Sequence, residues 1–171
     1  GVTVKILTGD NELVSQKVCR DVELAITQVV TGPQLALMNE EEFSKCVAAA
    51  NVMARLTPDQ KEKVIRVLRT RGHVVGFMGD GINDVLAMKA ADVGISVDTA
   101  VDVAKESADI ILLEKSLLVL EDGIIEGRKV FGNIIKYILR APLKGGIEDL
   151  KKAQVYLTWL IEYNESGKIT V

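Results

Sequence analysis

The stretch from Val74 to Asp84 constrains the fold more than any other part of the chain. It reads Val-Val-Gly-Phe-Met-Gly-Asp-Gly-Ile-Asn-Asp. Its first five residues are apolar and partly β-branched, which is typical of a buried strand in a parallel sheet. Gly79 and Gly81 flank Asp80, and two glycines allow the backbone to turn sharply where the strand ends. The stretch therefore predicts a strand, a turn and a helix that begins near Asn83.

Two carboxylates lie on either side of this predicted turn, at Asp80 and Asp84. In open α/β sheets, ligands bind at the carboxyl ends of the strands. Carboxylate and amide oxygens are ligands that Mg²⁺ prefers, so Asp80, Asp84 and Asn83 are candidates for a magnesium site. A structural alternative is that Asp80 caps the helix and Gly81 fits the turn. The strand and helix context favours the metal site.

The rest of the chain alternates strand-like and helix-like segments, which predicts βαβ units and a parallel sheet of the α/β class. The predicted strands cover residues 2–7, 29–33, 51–56, 74–78, 92–97 and 108–113. The predicted helices cover residues 12–22, 39–49, 57–71, 83–91, 99–107 and 116–139, the last with a possible break at Gly123 or Gly127.

Two further strand ends carry polar residues. Thr8-Gly9-Asp10 presents a hydroxyl, a carboxylate and backbone N–H groups at the start of a helix, an arrangement that attracts anions. Asp10 could instead be only a helix cap. Lys61 lies one turn into the helix that begins after Thr57, where it could point back to the sheet edge. The alternative for Lys61 is a solvated surface lysine, which is the commoner case.

Composition narrows the class of protein. The 171 residues carry a net charge of −3 and a pI of about 5.3, which does not favour nucleic-acid binding. No apolar run approaches the ~20 residues of a membrane span, and no signal peptide is visible. Cys19 and Cys46 are predicted to be small buried hydrophobic residues in a reducing cytosol. His73 is the only histidine, so the chain has little scope for Ser-His-Asp or Cys-His catalysis.

Four segments together resemble P-type ATPases of the haloacid dehalogenase (HAD) superfamily. Met78–Asp84 resembles the hinge motif of that family, and Thr8–Asp10 resembles its Thr-Gly-Asp motif. Thr57–Lys61 resembles its Pro-x-x-Lys segment. Val97–Ser116 is most similar to bacterial magnesium-transporting members. The resemblance covers roughly residues 2–139 and implies a cytoplasmic phosphorylation domain, a three-layer Rossmann-like sheet with helices on both faces.

The resemblance also implies roles for individual residues. Asp80 and Asp84 would be the Mg²⁺ ligand and its neighbour, Asn83 would contact the phosphoryl group, and Lys61 would neutralise phosphoryl oxygens. The phosphate and nucleotide edge would be lined by Thr8, Gly9 and Asp10. In the parent family the cofactors are Mg²⁺ and ATP, and the partners are the nucleotide-binding and membrane domains. For this chain we expect weak Mg²⁺ binding only.

Three departures from the family pattern limit what the resemblance implies. The Asp-Lys-Thr-Gly-Thr segment with the nucleophilic aspartate is not in the chain, and we expect it to precede Gly1. Val85-Leu86 replaces the Ala-Pro pair that follows the family's hinge aspartate. After about Leu139, where the family enters a membrane helix, residues 140–171 predict an unrelated unit with a helix over Ile147–Tyr163 and a strand over Lys168–Val171.

These departures leave three readings of the chain open. We expect a single domain made of an inactive phosphorylation-domain fragment, 1–139, and a foreign tail, 140–171, that could close a gap in the sheet left by a missing central strand. An engineered chimera explains this best, with a divergent natural paralogue as the alternative. A designed protein with an idle inherited site and a soluble HAD-type phosphatase are the other readings.

Overall fold

The computed structural model describes residues 2–114, 116–140, 147–148, 150–152 and 154–155, and only the backbone at Leu117 and residues 137–140. The strands are β1 Ile6–Leu7, β2 Val29–Thr31, β3 Val52–Ala54, β4 Gly76–Met78, β5 Val93–Val97 and β6 Ile110–Leu112. The helices are α1 Glu12–Asp21, α2 Gly32–Ala36, α3 Glu40–Ala49, α4 Pro58–Thr70, α5 Val85–Ala90, α6 Asp102–Glu106 and α7 Leu117–Arg140, with a 3-10 turn at Ile82–Asp84.

The strands form two three-stranded sheets, in the orders β1-β3-β2 and β4-β5-β6. β3 pairs in parallel with both β1 and β2, and β4 pairs in parallel with β5. Parallel strands connected by helices confirm the predicted α/β class and its Rossmann-like character. A single continuous sheet was expected, whereas β1 and β4 each form the edge of a separate sheet in the described part of the chain.

The main hydrophobic core lies between the first sheet and helices α2, α3 and α4. Its buried residues are Val30, Leu35, Phe43, Cys46, Val47, Ala50, Met53, Leu56, Val64 and Leu68. The helix ends are fixed by side-chain caps. Asn39 accepts a hydrogen bond from the backbone of Glu42, and Thr57 accepts one from the backbone of Gln60. The predicted cap at Thr57 and Pro58 at the first helical position of α4 are therefore confirmed.

The C-terminal end of α3 is closed by a lysine from the chain before β1. The Lys5 ammonium donates to the carbonyls of Val47, Ala48 and Ala50 at 2.9, 3.1 and 2.6 Å. Burial lowers the pKa of Lys5, and the nearby Cys46 sulfur partly opposes that effect. Burial raises the pKa of the Cys46 thiol, with Lys5 acting in the opposite direction. Both cysteines are free and buried, as expected from the sequence.

Several element predictions were wrong in detail. The predicted strand 2–7 is a strand only at Ile6–Leu7, where β3 offers backbone partners. β4 was expected to be a buried strand, but Phe77 is buried while Gly76 and Met78 are exposed. Among the described strands, β4 pairs with β5 alone. For the helix predicted over residues 99–107, Val101, Val103 and Ala104 were expected to face inward; Ala104 is buried, but Val101 and Val103 are exposed.

The apolar residues of α1 do not form its buried face. The helix was predicted from the helical spacing of Leu13, Val14, Val18 and Val22, and all four of these apolar residues are exposed. The buried positions are instead Ser15 and Cys19, which lie about one turn apart on the helix. The period of the helix was therefore predicted, but the face that packs against the sheet was not.

Residues 1–111 and 112–171 form two compact units. In the second unit α7 runs from Leu117 to Arg140 without the break expected at Gly123 or Gly127. The described residues between 147 and 155 are helical, within the helix predicted for Ile147–Tyr163. The predicted strand 168–171 and its proposed place in the sheet lie outside the residues that the structure describes. The predicted division after residue 139 is next to residues 141–146, which also lie outside them. Among the described residues, no helix is both long and apolar enough to cross a bilayer.

Candidate functional site

The turn after β1 is held by hydrogen bonds from its own residues and from the turn after β3. The Thr8 hydroxyl accepts from the Asp10 amide at 3.0 Å and donates to the Asp10 carboxylate at 3.2 Å. The amides of Arg55 and Leu56 donate to the carbonyls of Asp10 and Thr8 at 2.8 and 3.0 Å. These bonds bring the ends of two neighbouring strands together. Asn11, and not Asp10, caps α1 by accepting from the Val14 amide at 2.9 Å.

A nearly buried ion pair joins α4 to the turn after β4. The Lys61 Nζ atom lies 2.6 Å from the Asp84 Oδ1 atom, and the two side chains are 9% and 15% exposed. The alternative interpretation of Lys61 as a solvated surface lysine is therefore wrong, because its side chain is nearly buried. Among the described residues, the second carboxylate oxygen, Oδ2, accepts one long hydrogen bond, from the Gly81 amide at 3.4 Å. That oxygen retains capacity to accept from, or coordinate, another group.

Gly79 permits this arrangement, because a side chain there would overlap Asp84. A Cβ atom on Gly79 would lie 2.4 Å from the Asp84 Cβ and 2.8 Å from its Cγ. The Gly79 amide donates to the Ile95 carbonyl at 3.0 Å, and the buried Ser96 hydroxyl donates to the Gly79 carbonyl at 3.0 Å. The backbone of the turn is therefore fixed from β5. The sequence analysis predicted that Gly79 permits a turn, but it did not predict the close approach to Asp84. It did not identify Ser96, although a serine inside an otherwise apolar strand was a feature that could have pointed to it.

Asp80 and Asn83 present exposed side chains in the same turn as Asp84. The Asp80 carbonyl accepts from the Val101 amide at 3.2 Å, which fixes its backbone while its carboxylate remains in solvent. In the described residues no cluster of three or more His, Cys, Asp or Glu side chains is placed to hold a metal. However, Mg²⁺ is commonly bound by only one or two carboxylates, while water or phosphate occupies its other coordination positions. The donor set is compatible with a hard cation.

The contacts divide the predicted site residues into two groups. Lys61 and Asp84 are in direct contact, and Asp80 and Asn83 share the Asp84 turn. Thr8, Gly9 and Asp10 form a separate turn at the end of β1, linked by hydrogen bonds to the β3–α4 connection that leads into Lys61. The β3–α4 connection also contains Arg55, whose backbone has the left-handed φ of 53°. Sequence reasoning did not single out Arg55.

Comparison with known families identifies the class of protein that this fold and site define. The profile of haloacid dehalogenase-like hydrolases matches residues 1–92, and the chain belongs to that family. A second profile, described as a protein of unknown function (DUF3310), matches residues 119–158. This second match includes residues 140–158 of the tail that the sequence left unassigned, and it begins within α7.

Among curated proteins, the chain is similar to P-type cation-transporting ATPases. It is 57% identical over 138 residues to the magnesium-transporting ATPase, P-type 1, of Escherichia coli K12, and 56% identical to a protein of the same name from Salmonella typhimurium LT2. It is 35% identical over 145 residues to the probable cation-transporting ATPase F of Mycobacterium tuberculosis H37Rv. Each match covers 81% of this chain, which spans only 15–16% of the length of these relatives.

A solved structure gives the same assignment of fold. The catalytic domain of the CPx-ATPase CopB-B, described in a study of conformational changes upon nucleotide binding, superposes with a TM-score of 0.52 at 26% identity. The match covers 68% of this chain and 37% of that one. The resemblance to P-type ATPases of the HAD superfamily, drawn from four sequence motifs, is confirmed.

Proposed function

We propose that the chain is the phosphorylation-domain part of a P-type cation-transporting ATPase and holds the Mg²⁺ and phosphoryl group of an aspartyl-phosphate site. The observation that carries this proposal is the nearly buried Lys61–Asp84 pair at 2.6 Å, next to the exposed Asp80 and Asn83. A family relationship to hydrolases and to magnesium-transporting ATPases supports the same chemistry. The parent would be a membrane transporter and this part its cytoplasmic domain.

Each residue contributes charge or position to phosphoryl transfer, which depends mostly on those two effects. Lys61 neutralises phosphoryl oxygens, and its pairing with Asp84 holds the ammonium at the end of the sheet until an anion arrives. Asn83 supplies an amide to the phosphoryl group. Asp80 and the Oδ2 atom of Asp84 would ligate Mg²⁺, which supplies further charge neutralisation on the transferred group. Thr8, Gly9 and Asp10 line the nucleotide side.

We propose that these 171 residues lack the nucleophile and that the chain alone does not turn over ATP. Asp10, Asp80 and Asp84 match other motifs of the family, and the Asp-Lys-Thr-Gly-Thr segment does not occur in the 171 residues. The domains that bind nucleotide and span the membrane in the parent would be its partners. The second family match over residues 119–158 supports a chimeric origin for the C-terminal part.

Magnesium titration followed by amide NMR tests the metal site. We expect shifts centred on Asp80, Gly81 and Asp84, with millimolar affinity, because two carboxylates without a bound phosphate leave most coordination positions to water. Asp80→Asn should weaken binding at least tenfold. Asp21→Asn, which removes an exposed carboxylate at the end of α1, is the matched control and should leave the titration unchanged. Shifts confined to other regions, or an unchanged response in Asp80→Asn, would contradict the metal site.

Phosphorylation assays test the absence of turnover. Incubation with γ-labelled ATP or acetyl phosphate should give no acid-stable label on the chain, and para-nitrophenyl phosphate should not be hydrolysed. A label on any aspartate would overturn the assignment of the nucleophile to a segment outside this sequence. Sustained hydrolysis of para-nitrophenyl phosphate that is lost in Asp80→Asn would instead identify a soluble phosphatase.

A further inference from the structure

Ser96 places a hydroxyl group inside an otherwise apolar strand. β5 reads Val-Gly-Ile-Ser-Val, and Ser96 is both its only polar residue and completely buried, at 0% exposed. A buried hydroxyl costs free energy unless it forms a hydrogen bond, so its partner is the key to its role. That partner is the carbonyl of Gly79, which accepts from the Ser96 hydroxyl at 3.0 Å.

The Gly79 carbonyl belongs to the peptide group that leads into Asp80. β4 ends at Met78, so this carbonyl lies one residue beyond the strand, and the hydrogen bond that it accepts comes from a side chain. Because a peptide group is planar, fixing the Gly79 carbonyl also fixes the direction of the Asp80 amide. The Asp80 carbonyl is fixed in turn by the Val101 amide, at 3.2 Å. Both peptide groups that flank Asp80 are therefore held by β5 and the turn that follows it.

The Asp80 carboxylate depends on this backbone for its direction. Asp80 is exposed, and its side chain forms no hydrogen bond or ion pair with any other residue that the structure describes. The neighbouring Asp84 carboxylate, in contrast, is held directly by Lys61 at 2.6 Å. A shift of the Gly79 peptide group would therefore redirect the Asp80 side chain, whereas the ion pair would still hold Asp84.

We propose that Ser96 is a positioning residue for the magnesium site, and that its hydroxyl orients the Asp80 carboxylate through the Gly79 peptide group. This inference rests on the proposed function, in which Asp80 ligates Mg²⁺. Mg²⁺ demands near-ideal octahedral geometry, whereas the coordination of Ca²⁺ is flexible, so a carboxylate held in one direction favours Mg²⁺. Ser96 touches no metal, but it contributes both to the affinity of the site and to its preference for Mg²⁺ over Ca²⁺.

Titrations of the full chain with Mg²⁺ and with Ca²⁺, followed by amide NMR, test this role. Ser96→Ala removes only the hydroxyl and should raise the Mg²⁺ dissociation constant about tenfold, the lower end of the range for residues that orient a metal ligand. The Ca²⁺ dissociation constant should rise less than about threefold, because Ca²⁺ accommodates a displaced carboxylate. A general loss of structure would weaken the binding of both ions together, so the change in preference is specific to positioning.

Ser15→Ala is the matched control for the loss of a buried hydroxyl. Ser15 is 5% exposed, and its hydroxyl donates to a backbone carbonyl, that of Asn11, at 2.9 Å. The substitution therefore removes an equivalent hydrogen bond from α1, away from the turn that contains Asp80. It should leave both metal dissociation constants unchanged, and circular dichroism checks that both variants are folded.

The metal-free chain gives a second measurement that needs no ion. The NMR order parameter of the Asp80 amide should fall in Ser96→Ala and stay the same in Ser15→Ala, because only the first substitution releases the Gly79 peptide group. An unchanged order parameter, an unchanged Mg²⁺ affinity or an equal weakening of Mg²⁺ and Ca²⁺ binding in Ser96→Ala would overturn the positioning role and leave the proposed function standing. If the unsubstituted chain shows no Mg²⁺ shifts at Asp80, the magnesium site and the role of Ser96 are both overturned.

Discussion

Gly79 shows how a single residue sets the geometry of the site. A methyl group there would overlap the Cβ and Cγ atoms of Asp84, which are close to the backbone and cannot move aside without shifting the turn. We expect Gly79→Ala to cost about 1–3 kcal/mol of unfolding free energy, the range for overpacking a filled site. Gly76→Ala, in the strand that precedes this turn, is the matched control, because the nearest contact of its Cβ atom would be an ordinary 3.8 Å. Urea denaturation of both variants measures the difference, and equal stabilities would contradict the overlap.

The site residues could be predicted from the sequence to the extent that motifs specify them. Lys61, Asp80 and Asp84 were chosen because their types and their places after strands suit phosphate and Mg²⁺, and the structure brings Lys61 to Asp84. The pairing itself was not predicted, since it depends on how α4 lies against the turn. The close approach at Gly79 and the support from Ser96 also depend on tertiary contacts that no local pattern contains.

At the scale of elements, α4 connects the main core to the turn after β4. Val64 and Leu68 pack in the core, while Lys61 on the same helix binds Asp84. Removing one partner of a nearly buried pair leaves an uncompensated charge, so Lys61→Met should cost about 3 kcal/mol. The double variant Lys61→Met with Asp84→Asn should cost clearly less than the sum of the single variants.

An exposed pair on the same helix provides the control for this cycle. Arg66 lies 2.7 Å from Glu62, with side chains that are 64% and 25% exposed. Removal of Arg66 by Arg66→Met should therefore change the unfolding free energy by about 0.5 kcal/mol or less. Thermal or urea unfolding gives all four values. Additive effects of Lys61→Met and Asp84→Asn would mean that the 2.6 Å contact carries no coupling energy.

The sequence predicted the types and the order of most elements, but it did not predict as well which residues of each element are buried. Alternation of apolar patterns predicted the strands and all helices of the first unit except α2 to within about four residues, because each element carries its own period. The short helix α2, Gly32–Ala36, was missed, since the strand predicted for residues 29–33 extends into it.

In α1 the period predicted the helix, but the positions that are buried were not predicted. Ser15 and Cys19 are small enough to lie against the sheet, while the larger Leu13 and Val18 remain in solvent. Residue size at the contact decided the face, which hydrophobicity alone does not show.

For the whole first unit, the distribution of buried residues predicts which parts open first. The core consists of residues from β2, α2, α3, β3 and α4, and the side chains of β3 are fully buried, whereas α1 buries only Ser15 and Cys19. Amide protection in a protein follows such buried contacts. We therefore expect the amides of β3, α3 and α4 to exchange last and together, and those of α1 to exchange at a lower opening free energy.

Two core substitutions make this expectation specific. Val64→Ala removes two methyl groups from the core and should lower the protection of β3, α3 and α4 by a common amount, about 1–2 kcal/mol. Cys19→Ala lies outside that core and should lower the protection of α1 alone. Native-state hydrogen exchange measured by NMR or mass spectrometry separates the two patterns. If α1 exchanges together with β3 in the unsubstituted chain, its few buried contacts are enough to join it to the core unit, and the predicted order of opening is wrong.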